Sequence, residues 1–143
     1  MPVGSNPPAS FCCTRRVEFA DTDMAGIVHF SRYFLWMEQA EHEFLDSRGL
    51  GVMVEHNGNR YGLPRVSATC DYLAPARYRD ILSIGVSVVE IGRSSIRYAF
   101  DFVAAGKTVA RGAITVCFCA ITPSGIASHP LPDWFREKLG NGA

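Results

Sequence analysis

Residues 21–34, DTDMAGIVHFSRYF, place two carboxylates one residue apart, then Gly26, then His29 at the edge of an aromatic run. Several chemistries use acids at such spacing. Asp21, Asp23 and Gly26 match positions one, three and six of a calcium loop, but Ala25 and Arg32 stand where further oxygen ligands are required. An aspartyl-phosphatase pair would follow a buried parallel strand in a doubly wound sheet, which the flanking pattern does not offer. Asp21 and Thr22 fit a turn that ends a strand through side-chain bonds to the backbone. Asp23 differs, because Gly26 permits close backbone approach and the start of a helix follows at once. A helix entrance presents unpaired N–H groups and partial positive charge, which can polarise a carbonyl oxygen. A carboxylate a few residues from such donors is what acyl transfer to water requires.

The elements that must position these groups follow from periodicity. Val17 and Phe19 alternate with Arg16 and Glu18, so a strand from Cys12 to Phe19 delivers the acids at its end. From Phe30 the apolar residues Tyr33, Phe34, Met37, Ala40, Phe44 and Leu45 recur at steps of three and four, with Glu38, Glu41, His42 and Glu43 opposite. This predicts a helix of about five turns, closed near SRGLG by Gly49 and Gly51. Trp36 and its aromatic neighbours read as helix core. Residues 52–64 read as a loop or a short second helix.

After Pro64 the period becomes two. A strand from Val66 to Tyr72 is cut off by Pro75, and three more follow in a meander carrying Leu82–Val88, Ile96–Phe102 and Ala110–Phe118, reversed at IGRSS and AAGKT. The closing PDWFREKL forms one or two helical turns begun by Pro132 and Asp133. The fold class is therefore α+β, an antiparallel sheet of about five strands with one long helix to cover a face. Open sheet edges predict association through the sheet, as a homodimer or homotetramer.

Composition sets the outer bounds. The 143 residues make one domain from residue 11 to 143, preceded by a tail of residues 1–10 that Pro2, Gly4, Pro7 and Pro8 leave disordered. Fourteen basic residues balance fourteen acidic ones, which gives no electrostatic footprint for nucleic acid. No apolar run is long enough for a membrane span and no secretory signal opens the chain, so the expected location is the cytoplasm. Cys12, Cys13, Cys70, Cys117 and Cys119 fit neither a disulfide framework nor a zinc site and read as reduced strand residues. His42, His56 and His129 lack the spaced partners of a metal site, so no metal is expected.

The segments VEFADTDMAGIVHFSRYFLWMEQAEHEFL, CDYLAPARYRDILSIGVSV and IGRSSIRYAF resemble the hotdog-fold acyl-CoA thioesterases of the 4-hydroxybenzoyl-CoA thioesterase family, in the same order and over most of residues 15–121. The resemblance implies a sheet wrapped around a central helix and active sites at dimer interfaces. It places the catalytic carboxylate, nucleophile or general base, on Asp23 and the oxyanion-holding backbone N–H near Phe30. His29 fits a position that carries tyrosine, tryptophan or histidine in that family, either lining the entrance or transferring a proton. Arg93, Ser94 and Ser95 resemble the region that holds the coenzyme A phosphates, and a solvated turn is the other reading of Arg93; Arg65, Arg77 and Arg79 are weaker candidates. Acyl-CoA is then the substrate and no cofactor is implied, coenzyme A being part of the substrate. The competing function is a non-hydrolytic hotdog protein, either a dehydratase of carrier-bound acyl chains or an acyl-thioester binding module.

Overall fold

A computed structural model describes residues 6–140 of the chain. In order, the elements are β1 (Phe11–Arg16), a 3-10 turn (Phe19–Asp21), α1 (Phe30–Ser47), β2 (Met53–His56), β3 (Asn59–Gly62) and β4 (Arg65–Tyr72). There follow β5 (Ile81–Ile91), β6 (Ser95–Ala104), β7 (Lys107–Cys117), β8 (Cys119–Thr122), β9 (Gly125–Ser128) and α2 (Asp133–Leu139). One antiparallel sheet has the order β1-β5-β6-β7-β4 and a smaller one the order β2-β3-β8-β9.

The alternation in β5–β7 puts one residue in two under α1. Leu82, Ile84, Val86, Ile96, Tyr98, Phe100 and Phe102 are fully buried. Each contributes about 1.5–3 kcal/mol through apolar area removed from water. The helix contributes Tyr33, Met37, Ala40, Phe44 and Leu45 to the same core and contacts β1, β4, β5 and β7, so it reaches both edges of the large sheet. Close approach requires a glycine at one point. A Cβ on Gly112 of β7 would collide with the Met37 sulfur and come within 3.1 Å of the Thr69 carbonyl.

Three expectations are corrected. Residues 52–64 are neither loop nor helix but the β2–β3 hairpin, turned by Asn57 and Gly58 at φ of 52° and 80°. Both positive values are what a two-residue hairpin turn demands, and Asn-Gly supplies them with little strain. The last long strand stops at Cys117, and Cys119–Thr122 crosses to pair with β3 in the second sheet. Glu41, assigned by period to the polar face of α1, is fully buried.

Of the segment expected to be a disordered tail, residues 1–5 lie outside the described residues. From Asn6 onward the chain runs along the large sheet: Asn6 Nδ2 donates to Asp101 Oδ1 at 2.8 Å, and Ser10 N donates to Val86 O at 2.8 Å. All five cysteines are unbridged. No helix among the described residues is long and apolar enough to cross a membrane.

Candidate active site

The strand that precedes the site ends early, at Arg16, and the chain then bends through the 3-10 turn. Asp21 is consumed by this bend: its Oδ2 accepts from the Glu18 N–H at 2.8 Å and its Oδ1 lies 3.4 Å from Arg32 Nε. Thr22 Oγ1 donates to the Phe19 carbonyl at 2.7 Å. Both residues therefore hold the bend.

Asp23 opens a second, tighter loop. Its N–H donates to Ile27 O at 2.9 Å and its carbonyl accepts from Gly26 N at 3.0 Å. Oδ1 accepts from the Ala25 N–H at 2.8 Å and lies 3.4 Å from the Ile27 N–H, while Oδ2 has no hydrogen-bond partner among the described residues. One carboxylate oxygen is fastened to the loop backbone and the other is not. Gly26 acts through its backbone angle of +79° and not through crowding, since a Cβ there would meet nothing within 4 Å.

The helix entrance faces this loop across a cleft of about 470 Å3, whose walls include Asp23, Ile27, Phe30, Tyr33, Tyr72 and Pro75. Phe30 is the first helical residue, and its N–H has no acceptor among the described residues. The Phe30 carbonyl accepts from Tyr72 Oη at 3.0 Å, and Val28 N donates to Ala76 O at 2.8 Å. These two bonds clamp the end of β4 and the segment after it against the helix start. Tyr33 packs edge-on against Tyr72, Trp36 and Phe102. Burial pushes its hydroxyl up to about 12 and moves Tyr72 in the same direction, so both phenols stay neutral at ordinary pH.

His29 caps the helix. Its Nδ1 accepts from the Ser31 N–H at 3.3 Å and sits 2.8 Å from Ser31 Oγ, with the ring stacked on Phe30 at 4.6 Å. The ring is not part of the cleft wall.

Asp23, Phe30 and the Gly26 loop thus come together, whereas Arg93, Ser94 and Ser95 do not join them within one chain. The cleft sits at the sheet end where Tyr72 pairs with Ala110 and Ala110 with Phe102. The Arg93 turn joins β5 to β6 at the opposite end, roughly 27 Å of strand away at about 3.4 Å per residue. There the Arg93 carbonyl accepts from Leu131 N at 2.8 Å, and Arg136 Nη2 donates to Gly92 O at 2.8 Å, which fixes the turn to the α2 region.

Tyr33, Tyr72 and the wall of Ala74, Pro75 and Ala76 were not singled out by sequence reasoning as cleft residues. A signal existed in YLAPA: a strand that stops at a proline must hand its last side chains to whatever packs beside it.

A helix on an antiparallel sheet, with an acid-bearing cleft at the helix entrance, agrees with the arrangement that the sequence resemblance implies. The chain belongs to the thioesterase-like superfamily, whose family model matches residues 17–139. It is 31% identical to the 1,4-dihydroxy-2-naphthoyl-CoA hydrolase of Synechococcus sp. strain RCC307, over 86% of this chain and 95% of that protein. Among solved structures, a gentisyl-coenzyme A thioesterase superposes with a TM-score of 0.77 at 30% identity, covering 91% of this chain and all of that one. A 4-hydroxybenzoyl-CoA thioesterase shares the fold at a TM-score of 0.76 and 23% identity, over 91% and 98% of the two chains.

Proposed function

We propose that the protein hydrolyses an acyl-CoA to the free acid and coenzyme A, with Asp23 and the Phe30 N–H as the reacting machinery. One observation carries this reading: Asp23 and Phe30 line the same cleft, and the Asp23 Oδ2 and the Phe30 N–H have no hydrogen-bond partner among the described residues. In the general-base route, Asp23 Oδ2 takes a proton from water while the water oxygen attacks the thioester carbon. The Phe30 N–H holds the oxyanion, the C–S bond breaks, and the departing thiolate receives the proton from Asp23. In the nucleophilic route Oδ2 itself attacks, expels the thiolate and leaves an anhydride that water cleaves. Neither route needs a metal or cofactor.

The aromatic lining from Phe30, Tyr33 and Tyr72 favours a planar acyl group. The relatives named above act on gentisyl and dihydroxynaphthoyl groups, both hydroxylated aromatics. The test is thiol release over a panel of aryl, short, branched and long acyl-CoAs. Fastest turnover of hydroxylated aryl-CoAs is expected; binding without release from any member would favour the non-hydrolytic module.

His29 serves as a cap in this reading, because its Nδ1 is engaged at the helix start. His29→Asn, which preserves a strong N-cap, is expected to keep the pH–rate profile, with stability changed by less than about 1 kcal/mol. Loss of a limb of that profile would assign His29 to proton transfer.

The working unit is a dimer joined along β4. That strand pairs on one side only, with β7, and is exposed along nearly its whole length, Val66 at 63% and Tyr72 at 48%. Antiparallel pairing of two copies of β4 covers this edge. It also carries each Arg93–Ser95 turn toward the end of the assembly where the partner's cleft lies. Sedimentation equilibrium is expected to give a dimer or a multiple of it; a monomer with full turnover would contradict this assembly.

A further inference from the structure

Next to the Asp23 cleft, and sharing Ala74 and Pro75 with it, lies a second hollow of about 540 Å3. Its walls carry three cations, Arg77, Arg79 and Lys107, and one carboxylate, Asp80. That carboxylate is occupied: Asp80 Oδ2 accepts from the Arg77 N–H at 2.8 Å, while the Asp80 N–H donates to Arg77 O at 3.0 Å, closing the turn. None of the three cations forms an ion pair among the described residues.

Backbone turns set where Arg79 and Lys107 leave the chain. Arg79 adopts φ of +77°, a left-handed conformation that costs a non-glycine residue about 1–3 kcal/mol and persists only where its surroundings enforce it. Its N–H donates to Val17 O at 2.9 Å, and its guanidinium lies 5.1 Å from the centre of the Tyr78 ring. Lys107 directly follows the Ala105–Gly106 reversal between β6 and β7, where both residues have positive φ. Elsewhere Arg97 lines another hollow and likewise forms no ion pair among the described residues, but it stands there beside the neutralised Arg111. Arg65 is bonded to Glu41 at 2.8 Å and Arg111 to Asp101 at 3.2 Å.

We propose that this hollow binds the phosphate groups of the coenzyme A portion of a thioester seated beside Asp23 of the same chain. The inference rests on the acyl-CoA reading of the adjoining cleft. Two forked guanidiniums and an ammonium, none spent on a carboxylate, offer the charge-assisted donors that phosphate oxygens require. The shared Ala74–Pro75 wall gives the pantetheine arm a short, uncharged path between the two hollows.

The test is calorimetric titration of coenzyme A into the full chain and into two variants, Arg77→Gln/Arg79→Asn and Lys107→Gln. Asparagine at 79 tolerates the left-handed backbone, and the melting temperature confirms folding. Coenzyme A affinity is expected to fall at least about tenfold in the double variant, as loss of charged hydrogen bonds implies. The salt dependence of binding is expected to flatten with it. An N-acetylcysteamine thioester of the same acyl group, which carries no phosphate, is expected to keep its KM. Unchanged coenzyme A binding in the double variant, or an equal loss for the truncated thioester, overturns the proposal. If wild-type protein releases thiol from no acyl-CoA, the hydrolase reading fails, while the coenzyme A titration still decides the hollow.

Discussion

Asp23→Asn is expected to lower kcat for acyl-CoA hydrolysis by about 100- to 10,000-fold, the range that a positioned general base contributes. The fold should survive, because the asparagine carbonyl oxygen can still accept from the Ala25 N–H that now bonds Oδ1 at 2.8 Å. Only Oδ2 changes in kind, from a carboxylate oxygen without a partner among the described residues to an amide nitrogen that cannot take a proton. Asp23→Ala is expected to lose as much activity and, in addition, about 1 kcal/mol of stability with the turn bonds. The comparison separates chemistry from loop structure: activity that falls in the alanine variant but not in the asparagine variant would make the carboxylate a loop fastener. Coenzyme A titration of Asp23→Asn provides the control, since product binding should persist when turnover is gone.

The second large effect concerns stability and sits in the middle of α1. Glu41 is fully buried; its Oε1 accepts from Arg65 Nη2 at 2.8 Å, while Glu41 Oε2 and the Tyr98 hydroxyl lack partners among the described residues. Removing Arg65 leaves an uncompensated buried charge, so Arg65→Met is expected to cost about 3–5 kcal/mol at neutral pH. The double variant Glu41→Gln/Arg65→Met should recover most of that, because the charge that needed a partner is gone. Burial holds the Glu41 carboxyl above its ordinary value, and Arg65 offsets this only in part. A carboxyl raised in the folded state keeps its proton after the unfolded chain has lost it. Its contribution to stability is therefore greatest at pH below the ordinary glutamate range and declines as pH rises through the raised value. Arg65→Met raises it further, so the penalty of that variant should shrink in acid. Urea melts at about pH 4 and about pH 7 check the sign; a penalty independent of pH, or no recovery in the double variant, would show that Arg65 acts through packing alone.

What the sequence disclosed depended on how local each feature is. Asp23, Gly26 and Phe30 lie within eight positions of one another in the chain, and their placement together follows from a turn and a helix start, both written in adjacent residues. Strands β5–β7 were legible because Leu82, Ile84, Ile96, Tyr98 and their neighbours alternate without interruption. Tyr72 was not legible as a cleft residue, since its bond to the Phe30 carbonyl joins positions 42 apart in sequence and depends on where β4 ends. Glu41 was misplaced because the helical period alone assigns a face. Only the arrival of Arg65 from β4 makes its burial tenable. Asn57–Gly58 carried the hairpin signal, but the short flanking strands, four residues each, gave too little alternation to establish it. The separation of Arg93 from Asp23 is set by the length of β6, which no motif records.

One spectroscopic measurement reaches the centre of this account. Asp23→Asn protein, which should bind substrate without consuming it, is mixed with an aryl-CoA labelled with 13C at the thioester carbonyl, and the infrared difference spectrum is recorded. A hydrogen bond from the Phe30 N–H in the Asp23 cleft should shift the labelled stretch to lower frequency than in water. A stretch at or above its position in water, with the ligand demonstrably bound, would mean that the thioester does not sit at the helix entrance.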